Sequence, residues 1–212
     1  MNKKPLKMAH AGRVHCAGFR ENSPEAVCDS LTAGADIIEI DVRKSRDGVL
    51  YCYHGFPWWR FVGAWGLRFF SFATIRKMTQ ASKLVEVADV VRGELGGSGG
   101  SAILFLDIKD KRVRGAELMK ICDGFGEALW IAPCNFRYLK KLKREVGEGP
   151  TYVYNFYFLF VRWGMRRLVR AGIGVFKVLP WQLSAGVREE ASKLGLRYAC
   201  DWDREGNVWE ML

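Results

Sequence analysis

No C-x-x-C pair occurs among the six cysteines, Cys16, Cys28, Cys52, Cys122, Cys134 and Cys200. Without that spacing, and with no secretory pattern in the basic residues 1–6, the thiols are expected to be reduced and mostly buried, in a cytoplasmic protein. No apolar run reaches membrane-spanning length. The longest, 152–161, is about half what a spanning helix needs. Internal repeats are absent too. The glycine-rich stretch 96–100 follows a helical pattern and precedes a strand, the reverse of a phosphate-cradling loop, and reads as a linker.

What remains is one ordinary globular domain, 1–212. Its charge is lopsided. A net charge of +10 favours an anionic partner: nucleic acid, anionic lipid or a phosphate-bearing substrate. No nucleic-acid recognition motif accompanies the charge, so no nucleic-acid partner is expected.

Short strand-like runs alternate with helical ones. The strands are expected at 7–11, 36–42, 49–54, 102–108, 128–132, 151–155, 174–179 and 197–200. Helical spacing covers 23–33, 83–95, 136–146, 162–171 and 185–194. The first helix opens on Ser23-Pro24-Glu25, a cap residue followed by proline at the first helical position. The alternation predicts an α/β fold with a mainly parallel sheet, and eight strands predict a (β/α)8 TIM-type barrel. One connection differs. The six residues from Arg43 to Gly48 are too few for a parallel crossover, and Arg46-Asp47-Gly48 is a tight-turn signal. A β-hairpin after the second strand is expected there, with Asp41 and His54 facing across it.

Polar residues sit at the ends of the apolar strands. His10 ends the first and His54 the third. Glu39 and Asp41 share one face of the second, and Asp107 and Lys109 one face of the fourth, because strand side chains alternate with period two. A buried carboxylate pair is costly without a cation. Three hard oxygen donors from Glu39, Asp41 and Asp107 suit a divalent cation, Mg²⁺ or Ca²⁺. Two histidines suit general acid–base chemistry. Taken singly, each has a bland alternative: a structural histidine, a solvated Glu-x-Asp face, an Asp107–Lys109 ion pair. Together at strand ends they are far more specific.

The stretch from Met8 to His54, with Glu21-Asn22-Ser23-Pro24-Glu25-Ala26, Gly34-Ala35-Asp36-Ile37-Ile38-Glu39-Ile40-Asp41-Val42 and Asp47-Gly48, resembles the glycerophosphodiester phosphodiesterase superfamily. Weaker similarity follows through Leu106-Asp107-Ile108-Lys109, Asn135-Phe136, Leu179-Pro180-Trp181 and Trp202. The resemblance implies a catalytic His10 and His54 with Lys109, a metal on Glu39, Asp41 and Asp107, and a substrate contact at Trp202. It also implies metal-dependent cleavage of a glycerophosphodiester or lysophospholipid, with a cyclic phosphate as one route to product.

The chain departs from the family pattern at Ala11, where an arginine usually contacts phosphate, at Asp107, usually glutamate, and at Gly55, usually aspartate. A shortened C-terminal closure is also expected, since the family pattern continues past the position of Leu212. The first three departures, with Tyr53-His54-Gly55-Phe56-Pro57, are similar to sphingomyelinase D-type phospholipases. Arg13 and Arg20 are then expected to join Lys109 and the metal in binding phosphate. The competing reading is a non-catalytic lipid- or phosphate-binding protein on the same scaffold.

Residues 56–72 carry Trp58, Trp59, Arg60, Trp65 and Arg68 directly after His54, and 152–170 is a second aromatic and basic stretch. Such composition suits peripheral contact with an anionic membrane as well as a packed lid. Residues 56–72 are expected to flank the active-site mouth and touch lipid.

Overall fold

The structure, a computed structural model, describes residues 6–12, 18–55, 66–95, 102–133, 135–156 and 161–200. Its elements run β1 (Met8–Ala9), α1 (Pro24–Thr32), β2 (Ile37–Lys44), β3 (Leu50–Cys52), α2 (Phe72–Thr79), β4 (Ser82–Lys83) and α3 (Leu84–Leu95). They continue with β5 (Ile103–Ile108), α4 (Gly115–Cys122), β6 (Leu129–Pro133), α5 (Phe136–Val146), β7 (Thr151–Asn155), α6 (Val161–Arg170), β8 (Val175–Val178), α7 (Ala185–Lys193) and β9 (Arg197–Cys200).

Every strand pair in the order β1-β2-β5-β6-β7-β8-β9 is parallel. Period-two alternation sorts the wall into two faces. Met8, Ile37, Phe105, Trp130, Val153, Val175 and Ala199, one from each of these seven strands, form a single buried cluster. The first and last staves thus face the same core, which makes the sheet a barrel. The intervening residues Ala9, Ile38, Ile40, Leu104, Leu106, Ile131, Phe176 and Tyr198 face outward onto the helices. The helices answer with apolar stripes, as in α5 with Tyr138, Leu139 and Leu142 and α6 with Val161, Met165 and Leu168. The fold is an α/β barrel of the TIM type.

Seven parallel staves are present among the described residues. The eighth strand-like run, 49–54, is the antiparallel arm β3 of the expected hairpin, with β4 paired beyond it. Its register pairs Val42 with Cys52, so that Tyr53 rather than His54 lies opposite Asp41, to whose carbonyl its N–H donates at 3.0 Å. β3 stops at Cys52, and Arg43 takes the next two carbonyls, donating from Nε to Tyr53 O (2.9 Å) and from its terminal nitrogen to His54 O (3.0 Å).

Two helices, α2 and α4, were not expected from the sequence. Ser71 caps α2, accepting from Thr74 N–H, and Glu117 returns to the Arg114 N–H at the start of α4. Cys52 and Cys122 are buried thiols, Cys28 is exposed and Cys200 half-buried; Cys16 and Cys134 lie outside the described residues. No helix among the described residues is long and apolar enough to cross a membrane.

Candidate active site

The alternation that packs Met8, Ile37, Phe105, Val153 and Val175 into the barrel floor carries the residues two positions further into its upper layer. Those residues are His10, Glu39, Asp107, Asn155 and Lys177. Asp41 and Lys109 follow one step higher on β2 and after β5. The polar layer lies at the C-terminal ends of the strands, where TIM-type barrels keep their sites.

Glu39, Asp41 and Asp107 are buried, and one oxygen of each lies within 4.8 Å of one of each of the others. Part of their hydrogen-bonding capacity is filled. Glu39 Oε2 accepts from the Ala11 N–H at 2.7 Å. Asp41 Oδ2 accepts from Asn22 Nδ2 at 3.1 Å, while Asn22 Oδ1 accepts from the Asp41 N–H at 2.8 Å. Lys109 Nζ donates to Asp107 Oδ2 at 2.5 Å and lies 3.1 Å from Asp41 Oδ1. That leaves Glu39 Oε1 and Asp107 Oδ1 buried with no hydrogen-bond donor among the described residues, and Asp41 Oδ1 met by the Lys109 ammonium. Unsatisfied buried carboxylate oxygens are expensive. The three converging carboxylates, all hard oxygen donors, fit a divalent cation such as Mg²⁺ or Ca²⁺.

Backbone strain supports this arrangement. Ala11 has φ +49° and Asn22 φ +59°, the left-handed region that costs a non-glycine residue about 1–2 kcal/mol. Both are held there beside a carboxylate they serve, Ala11 through its N–H and Asn22 through its side chain. Gly12 follows at φ +74°, where a Cβ would lie 3.0 Å from Val27 and 3.3 Å from Ile40. The turn after β1 therefore tolerates little substitution.

The electrostatics follow from burial. Desolvation, the neighbouring Asp41 and then Asp107 push Glu39 up to about 7, against the pull of His10 and Lys177. Asp41 also suffers desolvation, yet Lys109, His54 and Asn22 hold its carboxyl below the ordinary range. Glu39 should therefore couple cation binding to pH. Below about 7 its proton competes with the metal; above that the competition ends. The rise in melting temperature on adding Mg²⁺ or Ca²⁺ is expected to be small at pH 5.5, to grow toward neutrality and to level off above it. A cation-induced increment that is the same at pH 5.5 and 8 would contradict this coupling.

The histidines complete the site. The rings of His10 and His54 lie with centroids 6.3 Å apart at an interplanar angle of 78°. His10 Nε2 is 3.8 Å from Glu39 Oε2, and its side chain is 52% exposed. His54 is half-buried. Desolvation lowers its pKa, opposed by Asp41 and reinforced by Lys109.

Six of the nine residues expected from the sequence thus meet: His10, His54, Lys109, Glu39, Asp41 and Asp107. Arg20 instead donates to Gln80 (3.4 Å) and Ser82 (3.1 Å) beside the hairpin. Arg13 and Trp202 lie outside the described residues. Arg43, Asn155 and Lys177 were missed. Arg43 fixes the backbone around His54, and the register pairs Asn155 with Lys177 on the opposite wall, both buried. The signal was available: each is a polar residue at or near the end of an apolar strand, like those singled out in β1, β2 and β5.

Among solved structures, the chain resembles a candidate glycerophosphodiester phosphodiesterase from Galdieria sulphuraria (TM-score 0.77, 16% identity, 93% of this chain and 85% of that one). A glycerophosphodiester phosphodiesterase from Parabacteroides distasonis is similar (TM-score 0.73, 15% identity, 95% and 86%). So is a phosphodiesterase from Oleispira antarctica in complex with the product sn-glycerol-3-phosphate (TM-score 0.72, 15% identity, 92% and 83%). At such identities the likeness establishes the fold. No curated protein matches the chain significantly. The family model named for the glycerophosphoryl diester phosphodiesterases matches residues 9–114, half of the chain, from the turn that holds Glu39 through the strand bearing Asp107. This chain belongs to the glycerophosphoryl diester phosphodiesterase family, a family of phosphoric diester hydrolases.

Proposed function

We propose that the protein cleaves the phosphodiester of a glycerophosphodiester or lysophospholipid, using His10 and His54 as its acid–base pair. The observation that carries this reading is the meeting of two imidazoles over three buried carboxylates whose oxygens converge within 4.8 Å of one another. Glu39, Asp41 and Asp107 would hold a divalent cation, which supplies neutralisation of phosphoryl oxygen charge.

The chain's own groups do the rest. Desolvation lowers the His54 pKa and so favours the neutral form a general base needs, and a cation nearby would act in the same direction. His54 takes a proton from the attacking oxygen, a new P–O bond forms, the bond to the leaving alcohol breaks, and His10 protonates that alcohol. The attacking oxygen belongs to water or to a substrate hydroxyl beside the phosphate; the second gives a cyclic phosphate first. Lys109, half-buried between Asp41 and Asp107, offers positive charge to the phosphate from the protein side. The buried Lys177 adds positive charge from the far wall, in a site where Ala11 leaves no guanidinium.

Phosphorus NMR of glycerophosphocholine and lysophosphatidylcholine incubated with protein and Mg²⁺ or Ca²⁺ tests the proposal. At least one diester resonance should be replaced by that of a phosphomonoester or a cyclic phosphate. Two unchanged diester signals at stoichiometric protein would rule out this substrate class.

A further inference from the structure

Two exposed tryptophans lie on the rim of the barrel, across from the histidines. In this fold each helix starts at the end of the barrel where the preceding strand finishes. The first turn of α6 and the turn after β8 therefore sit at the same end as the active site. Each carries a tryptophan the core does not use: Trp163 is 90% exposed and Trp181 63% exposed. Together with Val161, Arg162, Gln182, Ser184 and Val187 they line an open cleft of about 300 Å³. Gly164 explains why Trp163 points away. A Cβ at that position would lie 2.3 Å from the Phe156 ring, so the inner side of this turn is filled by Phe156.

Among the described residues, positive charge predominates around the two rings. α6 carries Arg162, Arg166, Arg167 and Arg170 and no acidic residue. The neighbouring α7 adds Arg188 and Lys193 against Glu189 and Glu190. Some of this charge is already engaged: Arg166 lies 3.5 Å from Glu190, Lys193 donates to Glu189 at 2.6 Å, and the Arg167 guanidinium sits 4.3 Å over the Phe136 ring. Leaving out Arg170 and Lys193, which end their helices away from the rim, Arg162, Arg166, Arg167 and Arg188 against Glu189 and Glu190 still give an excess of positive charge near two exposed indoles. Exposed tryptophans flanked by arginine fit the headgroup layer of an anionic bilayer, where the ring is half desolvated and guanidinium meets lipid phosphate.

We infer that the rim formed by Trp163, Trp181 and Arg162 docks the protein onto an anionic phospholipid surface, with the barrel mouth turned toward the bilayer. The inference stands on exposure and charge at this rim and does not depend on which diester is cleaved. It places the principal lipid contact on α6 and the turn after β8 rather than on residues 56–72.

The test is co-sedimentation of the full chain with phosphatidylcholine vesicles, with and without about one third phosphatidylserine. Wild-type protein should pellet with the anionic vesicles and stay largely in solution with the neutral ones. Trp163→Ala with Trp181→Ala should lower the anionic partition coefficient about tenfold or more. Arg162→Gln should lower it about fivefold. The melting temperature and the hydrolysis of bis(p-nitrophenyl) phosphate should match wild type in these variants. Unchanged vesicle binding in the double tryptophan variant would overturn the inference. So would binding that does not distinguish anionic from neutral vesicles, or binding lost in Trp58→Ala with Trp59→Ala instead. Self-association of the wild type that the double variant abolishes, without vesicle binding, would make the rim a contact between copies and overturn it too.

Discussion

Asp41→Asn is expected to reduce phosphodiester hydrolysis about a thousandfold or more, equivalent to ~4 kcal/mol of transition-state stabilisation. The substitution keeps the shape of the side chain, and the Asp41 backbone N–H can still donate to Asn22. It removes the charge that faces Lys109 at 3.1 Å and leaves a neutral amide in place of one of the three converging carboxylates. A cation would then be held by two carboxylates, one of them Glu39 with its raised pKa. The folded state should survive. In the metal-free protein the loss of the Lys109 pairing that holds Asp41 ionised is offset in part by weaker repulsion on Glu39. Circular dichroism and melting temperature should thus stay near wild type while activity and cation-induced stabilisation vanish together. An Asp41→Asn protein with full activity would refute the assignment of this cluster.

Replacing either His10 or His54 with alanine should slow turnover by roughly a hundredfold or more, because each removes a proton carrier from the transition state. The pair is exposed enough, and set far enough above the barrel floor, for either truncation to leave the packing intact. Their pH signatures should differ. Desolvation lowers the His54 pKa, so the rise in kcat/KM that reports its deprotonation should lie below the ordinary histidine range. That acidic limb should disappear in His54→Ala and persist in His10→Ala. His15 provides the control. It lies five residues after His10, outside the described residues, and does not match the strand-end pattern. If His15→Ala is as damaging as His10→Ala, the placement of the first strand is wrong.

Much of this site was legible because strands write their faces plainly. Ile37-Ile38-Glu39-Ile40-Asp41 announces two carboxylates on one side of a buried strand, and the structure puts them there. Asp107 and Lys109 obey the same rule, and so would Asn155 and Lys177, had it been applied to the later strands. Other features depend on tertiary context. The hairpin was read from Arg46-Asp47-Gly48, but its register was not: the Ser45 N–H donates to Val49 O at 3.0 Å across that three-residue turn, which sets Val42 opposite Cys52. The helix α4 was hidden behind Gly115, a poor helix former. That glycine is needed for packing: a Cβ there would come within 2.6 Å of Glu145 Cβ on α5. α2 was masked by its place in the aromatic stretch, yet Phe72 and Ile75 bury against Tyr51 and Leu67. The end of that stretch is therefore partly core, while Phe69 and Phe70 within it are exposed. Trp58, Trp59 and Arg60 lie outside the described residues.

The account rests on one linked claim, that the three-carboxylate cluster and the histidine pair form a metal-dependent phosphodiesterase centre. The most direct measurement is the hydrolysis of bis(p-nitrophenyl) phosphate by chelator-stripped protein, before and after addition of Mg²⁺ or Ca²⁺. Stripped protein should be inactive, and one of the two cations should restore turnover to the wild type but not to Asp41→Asn or His54→Ala. Turnover that persists undiminished in excess chelator would contradict the metal assignment. Absence of turnover with either cation, in protein that still gains thermal stability from it, would leave a binding protein on an enzyme's scaffold and contradict the claim of catalysis.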